Sequence, residues 1–202
     1  MDDIVKQAMA KWPNVPAVYG WLGLDRRGKW LIKGERISNP IVAAFIGRNY
    51  EHDAQGRWFF QNGPQRVFVA LDYTPFVYRV ASEPGAAPRL ESHTGRSVSR
   101  VDGAWIDGAG IVLIMTEHGP GMLDDRDLDR LLACFTDAQG KPLAEEVIAS
   151  AIETLQGGGT AGLHFSYLGV TVPVRALAAG DAPAKLGFVA RPVQPAGQEE
   201  CY

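Results

Sequence analysis

The chain reads as an α+β protein built on antiparallel meander sheets with a few helices, and three observations predict it. Short bulky segments alternate with Gly, Asn-Gly and Asp-x-x-Gly turns through residues 19–80. Amphipathic stripes of helical period occur in only a few places, chiefly residues 124–135 and 143–156. The 202 residues are 46% hydrophobic and 21% charged, which is globular composition and excludes disorder over the whole chain.

The elements follow in order. Asp2 or Asp3 caps a short helix through Ala10, ended by Trp12-Pro13. Tyr19–Leu24 and Lys29–Lys33 form a hairpin around Asp25-Arg26-Arg27-Gly28. Asn39-Pro40 starts a helix with Ile41, Ala44 and Phe45 on one stripe and Gly47 at its end. Strands at 57–61, 66–71 and 76–80 are separated by Asn62-Gly63-Pro64 and by a turn at Asp72. Residues 82–96 are rich in Pro, Gly, Ala and polar residues and read as a loop or linker. Strands follow at 97–101 and 110–115, with Gly119-Pro120-Gly121 as a turn. A helix from Asp124 or Asp125 to Phe135 carries Leu128, Leu131 and Leu132, and a second runs from Leu143 to Gln156. Strands at 163–167, 170–174 and 186–189 complete the expectation.

This divides the chain into a strand-rich, basic and aromatic subdomain (1–81), the linker (82–96), an acidic α+β subdomain (97–192) and a frayed tail (193–202). Asp53-Ala54-Gln55-Gly56-Arg57 recurs as Asp137-Ala138-Gln139-Gly140-Lys141, so the two closely packed subdomains are candidates for a diverged strand–helix repeat. Asp-x-x-Gly is also ordinary turn chemistry, which leaves coincidence as the alternative.

Charge and motifs exclude more than they select. The net charge of −3 divides into 14 Lys+Arg against 9 Asp+Glu in residues 1–100, and 6 against 14 in residues 101–202. A pI near 5.8 argues against a nucleic-acid partner recognised through overall charge. The acidic start and the longest apolar run, Ile111–Met115, predict no signal peptide, no membrane span and a cytoplasmic location. Gly157-Gly158-Gly159-Thr160-Ala161-Gly162 spells G-x-G-x-x-G, but a helix precedes it and a strand follows, the reverse of a dinucleotide fold. It reads as a helix C-terminus, and no cofactor is expected. Asp125, Asp127 and Asp129 lack the glycine and glutamate of a calcium loop. No His or Cys spacing marks a metal site. Cys134 falls in an apolar helical stripe, where a thiol is buried and inert.

The remaining candidates are arginines interleaved with aromatics in the first half, and one histidine. Arg36, Arg48 and Arg66, with His118 in the second half, are the residues expected to meet a small anionic ligand. The leading function is a non-enzymatic ligand-binding or regulatory module. One alternative is a hydrolase-type enzyme with its site near His118, and another is an electrostatic interaction scaffold. The oligomeric state stays open.

Gly23-x-Asp25-x-x-Gly28-x-Trp30, Gly34-x-x-Ile37, Phe45, Asp53-x-x-Gly56-x-Trp58 and Asp72-x-x-Pro75-Phe76 together resemble uncharacterised proteobacterial families of the domain-of-unknown-function type. Over about residues 20–80 the layout is similar to one whose members repeat strand–helix units on curved sheets. The resemblance implies an α+β fold with a repeated motif, a bacterial source and a ligand-sensing or signalling role. It carries over no functional residue.

Overall fold

The computed structural model describes residues 1–12, 15–83 and 85–197. They form two compact units: Met1–Pro75 with the segment from Gly187 onward, and Phe76–Leu186. Among them no helix is long and apolar enough to cross a membrane.

The first unit holds a six-stranded sheet of β1 (Val18–Leu24), β2 (Trp30–Ile32), β3 (Glu35–Arg36), β4 (Tyr50–His52), β5 (Trp58–Asn62) and β6 (Gln65–Leu71), in the order β3-β2-β1-β6-β5-β4. Helix α1 (Asp3–Lys11) precedes it, and α2 (Pro40–Arg48) connects β3 to β4. Asn39 caps α2 as its sequence demands: its Oδ1 accepts the N–H groups of Ile41 and Val42, and Pro40 occupies the first turn, where no donor is needed. Asp2 does not cap α1 with its side chain. Its backbone N–H donates to Asn49 Oδ1 and its carboxylate pairs with Arg48, tying the first helix to the end of the second.

The second unit has one eight-stranded sheet: β7 (Phe76–Val80), β8 (Leu90–Ser92), β9 (Val101–Asp107), β10 (Val112–Thr116), β11 (Gly119–Leu123), β12 (Phe135–Thr136), β13 (His164–Tyr167) and β14 (Val170–Leu177). Their order is β12-β13-β14-β9-β10-β11-β7-β8. Helices α3 (Leu128–Leu131), α4 (Glu145–Gln156) and α5 (Ala182–Leu186) complete it. The sheet curls strongly. Tyr167, on β13, accepts the Leu90 N–H of β8 at 2.9 Å and donates to Val98 O at 3.1 Å, so strands near opposite ends of the sheet are bonded through one phenol. Burial pushes that phenol's pKa up.

The α+β expectation holds, but the strand order is not an antiparallel meander. β1 runs parallel to β6, β7 to β11, and β9 to β14. Alternation of side chains assigns a face to each strand and is silent on its partner. β6 turns back to lie beside β1, and β7 enters the second sheet instead of extending the first. Local expectations also change, and Gly119-Pro120-Gly121, expected as a turn, begins strand β11. The strand expected at 97–101 begins only at Val101, and β8 lies inside the stretch read as a loop. The helix expected to Phe135 is one α-turn flanked by 3-10 turns at 125–127 and 132–134, because Asp127 accepts the Val80 N–H and Arg130 reaches the carbonyls of Val80 and Ser82. The strand expected at 186–189 is the end of α5 followed by a single bridge at Val189. The Ile41–Ala44–Phe45 stripe is not the buried one: Ile41 is 77% exposed, and Ile46 is buried in its place.

Register shows that one topology occurs twice. The run β11-β10-β9-β14-β13-β12 repeats β3-β2-β1-β6-β5-β4, with a parallel pair at the centre of each. The turns coincide as well. Asp25 and Asp107 close the first hairpin of each copy, and Asp53 and Asp137 follow β4 and β12. At all four, the aspartate carboxylate accepts the backbone N–H groups two and four residues on, at 2.8–3.0 Å. The glycine three residues on takes the left-handed conformation, with φ of 70°, 73°, 81° and 78° in chain order. The Asp53 and Asp137 motifs therefore occupy equivalent positions, and α4 is an addition between the second turn and β13.

Asp53 also holds Arg57, whose Nε donates to Oδ2 at 2.7 Å and whose guanidinium stacks 4.7 Å from the Phe68 ring centroid. Partial burial pushes the carboxyl pKa up, but the hydrogen bonds and charge of Arg57 outweigh it and hold the pKa below the usual value. A depressed folded-state pKa contributes stability above the unfolded value of about 4, and that stability is lost as pH falls through the folded value. Asp53→Asn is expected to lower stability at neutral pH and to flatten the acid limb below about pH 4. Urea midpoints measured across that range check it, and a parallel acid limb in the variant contradicts it.

Candidate functional site

A cavity of about 400 Å³ opens in the first unit, between α2 and the strands β1, β2, β5 and β6. Its origin is local. β1 carries an irregularity between Val18 and Leu22, where Gly20 takes φ 72°, and both Trp21 and Leu22 contribute to the wall. Cross-strand pairing puts Ile32 beside Leu22 and Val67 beside Phe60. Phe45 and Val42 close the helix side, and the Phe45 ring meets Phe60 edge to face at 5.5 Å. Leu22, Ile46 and Phe60 are buried, whereas Trp21, Ile32 and Val42 are 40–46% exposed and frame the mouth. Among the described residues the polar side chains on the wall are Asn62 and Gln65, and Gln65 Nε2 donates to Pro16 O.

None of the four residues singled out from sequence lines this cavity. Arg36 is exposed on β3. Arg48 is exposed near the end of α2, paired with Asp2 at 3.3 Å and standing 6.0 Å from the Phe45 ring centroid. Arg66 is exposed and stacks 4.8 Å from the Phe59 ring, on the face of the sheet opposite Phe60. His118 belongs to the other unit, in the turn from β10 to β11.

Around His118 the polar groups bind one another. Glu117 accepts the Ser99 N–H at 2.6 Å and the Ser99 hydroxyl at 2.7 Å. Partial burial pushes the Glu117 pKa up, and these bonds reverse it to a net lowering. His118 Nε2 donates to Ser97 O at 2.8 Å. The nearby Tyr78 phenol donates to Gly119 O and shares a 2.7 Å bond with Thr116 Oγ1, and burial drives its pKa far up. Ser99 thus donates to a carboxylate rather than to the imidazole. Cys134 is buried, and desolvation pushes its thiol up to about 11.

The sequence reading missed the residues that form the mouth. For Val42 the signal was an apolar helix, Pro40–Arg48, with more large hydrophobic positions than one packed face needs.

A family model, DUF2944, described as "Protein of unknown function (DUF2946)", matches residues 1–193. The chain belongs to this family. Membership agrees with the expectation of a domain-of-unknown-function family. Among solved structures, a DUF1285 family protein from Silicibacter pomeroyi DSS-3 is similar at 17% identity and TM-score 0.53, over 81% of this chain and 85% of that one. That likeness is one of fold. A DUF1285 family protein from Shewanella baltica OS155 matches at 16% identity and TM-score 0.41, over 54% of this chain and 87% of that one. No curated protein matches the chain.

Proposed function

We propose that the protein is a small-molecule-binding module whose site is the apolar cavity under α2. The carrying observation is the contrast between the two copies of the topology. The pair Leu22–Ile32 corresponds by register to Ala104–Ile114, and Phe60–Val67 to Phe165–Val172. In the second copy Ala104, Ile114 and Phe165 are wholly buried, whereas in the first Ile32 is 46% exposed beside open space. The topology can therefore fill this position, and an open apolar mouth is a liability that a ligand would relieve. The volume lies in the range of small-molecule sites, and the lining is mainly apolar with two orienting amides. Among the described residues no Asp, Glu, His, Cys, Lys or Arg is on the wall, which favours binding over acid–base chemistry.

The test uses anilinonaphthalene sulfonate as probe and Val42→Trp as the filled variant, because Val42 stands at the mouth and is 40% exposed. The wild type is expected to enhance the probe's fluorescence saturably and to gain thermal stability with it. Val42→Trp should lose both effects at unchanged circular dichroism. Equal binding by the filled variant, or none by the wild type, overturns the reading.

A further inference from the structure

Resting on that reading, we infer that the ligand is a small amphiphilic acid, with its apolar body in the cavity and one carboxylate at the mouth beside Lys33. Two of the three aromatic rings on the wall carry a cation. Lys33 Nζ stands 3.8 Å from the Trp21 ring centroid, and the Arg48 guanidinium 6.0 Å from that of Phe45. The cavity thus has apolar walls and two cations against the rings at its rim, a setting that suits an amphiphilic anion.

Lys33 is the stronger of the two. Arg48 already pairs with Asp2, whereas Lys33 makes no ion pair among the described residues and holds its ammonium over the Trp21 ring. Its backbone N–H donates to Trp21 O at 2.8 Å, so turn and wall are joined. With Gly34 it forms the two-residue turn between β2 and β3, and both residues have positive φ, 49° and 85°. Such a turn favours Asn-Gly, so a lysine at its first position carries a local conformational cost while placing a charge at the mouth. Glu35 is the carboxylate to weigh against it. It lies cross-strand from Ile32, is exposed, and forms no ion pair with Lys33.

Octanoate and octan-1-ol share a chain and differ in the head, and each can be titrated by calorimetry into the full chain at neutral pH and low salt. Octanoate is expected to bind about fivefold more tightly than the alcohol, the factor one exposed ion pair of about 1 kcal/mol supplies. Lys33→Met should remove that preference and leave the alcohol's affinity unchanged. Glu35→Gln should enlarge it. Equal binding of acid and alcohol to the wild type, or a preference that survives Lys33→Met, overturns the inference and leaves the binding reading standing. If neither chain binds while anilinonaphthalene sulfonate does, the inference likewise falls alone. If the sulfonate also fails, the binding reading falls with it.

Discussion

Truncating Phe165 to alanine is expected to cost about 3–5 kcal/mol of folding stability. The side chain is fully buried on β13 and packs edge to face on Phe135 at 5.5 Å. The cost combines the lost transfer energy of the ring with that of the cavity left behind. Neighbours cannot readily collapse into the gap. Phe135 is held on β12 directly across from Phe165, and Tyr167, two residues along the strand, is fixed by bonds to Leu90 and Val98. The equilibrium midpoint in urea should fall sharply at nearly constant slope. Phe165→Leu, which keeps most of the volume, should cost much less. A loss below about 1 kcal/mol for the alanine variant would show that the curled sheet relaxes around the vacancy.

The second large effect separates two glycines that the sequence treats as equivalent. Gly56 and Gly140 occupy the same position in duplicated turns, with φ of 73° and 78°. Alanine at either pays the left-handed penalty of about 1–2 kcal/mol. At Gly140 the added methyl meets only the Thr171 and Ser166 hydroxyls, at 3.5 and 3.7 Å. At Gly56 it would come within 2.4 Å of the Gly187 carbonyl oxygen, a backbone atom. That oxygen cannot swing aside, because the segment is anchored by Val189 N–H to Gly56 O and by Leu71 N–H to Ala190 O. Gly56→Ala is therefore expected to cost about 2 kcal/mol more than Gly140→Ala, through the overpacking that such a clash imposes. Equal thermal shifts for the two variants would contradict this account.

The pair also shows what sequence reading reaches. The turns at Asp25, Asp53 and Asp137 were legible because a short carboxylate and a left-handed glycine act within five residues. Asn39-Pro40 was legible for the same reason. The matching turn at Asp107 escaped because β9 contains Asp102 and Gly103, which weaken a strand pattern. In the fold the Trp105 ring lies so close to Gly103 that a methyl there would be 2.5 Å from it. Parallel pairing of β1 with β6 was not legible, because alternation carries no partner information. The cavity was not legible for a related reason. Arginines interleaved with aromatics drew attention to charge, yet Arg66 lies across the sheet from the cavity and Arg36 lines no part of it. Which side of α2 faces inward depends on how it docks over β5, and that buries Ile46 while leaving Ile41 in solvent.

The return of the chain at Gly187 sets an order of events during synthesis. A ribosome delivers residues 1–75 first, but the Gly56 carbonyl and the Leu71 N–H receive their partners only when Val189 and Ala190 emerge. All of Phe76–Leu186 is made before then. Of the two units, the one made first is thus the last to be completed, and the nascent chain must carry its unfinished edge through translation of more than a hundred residues.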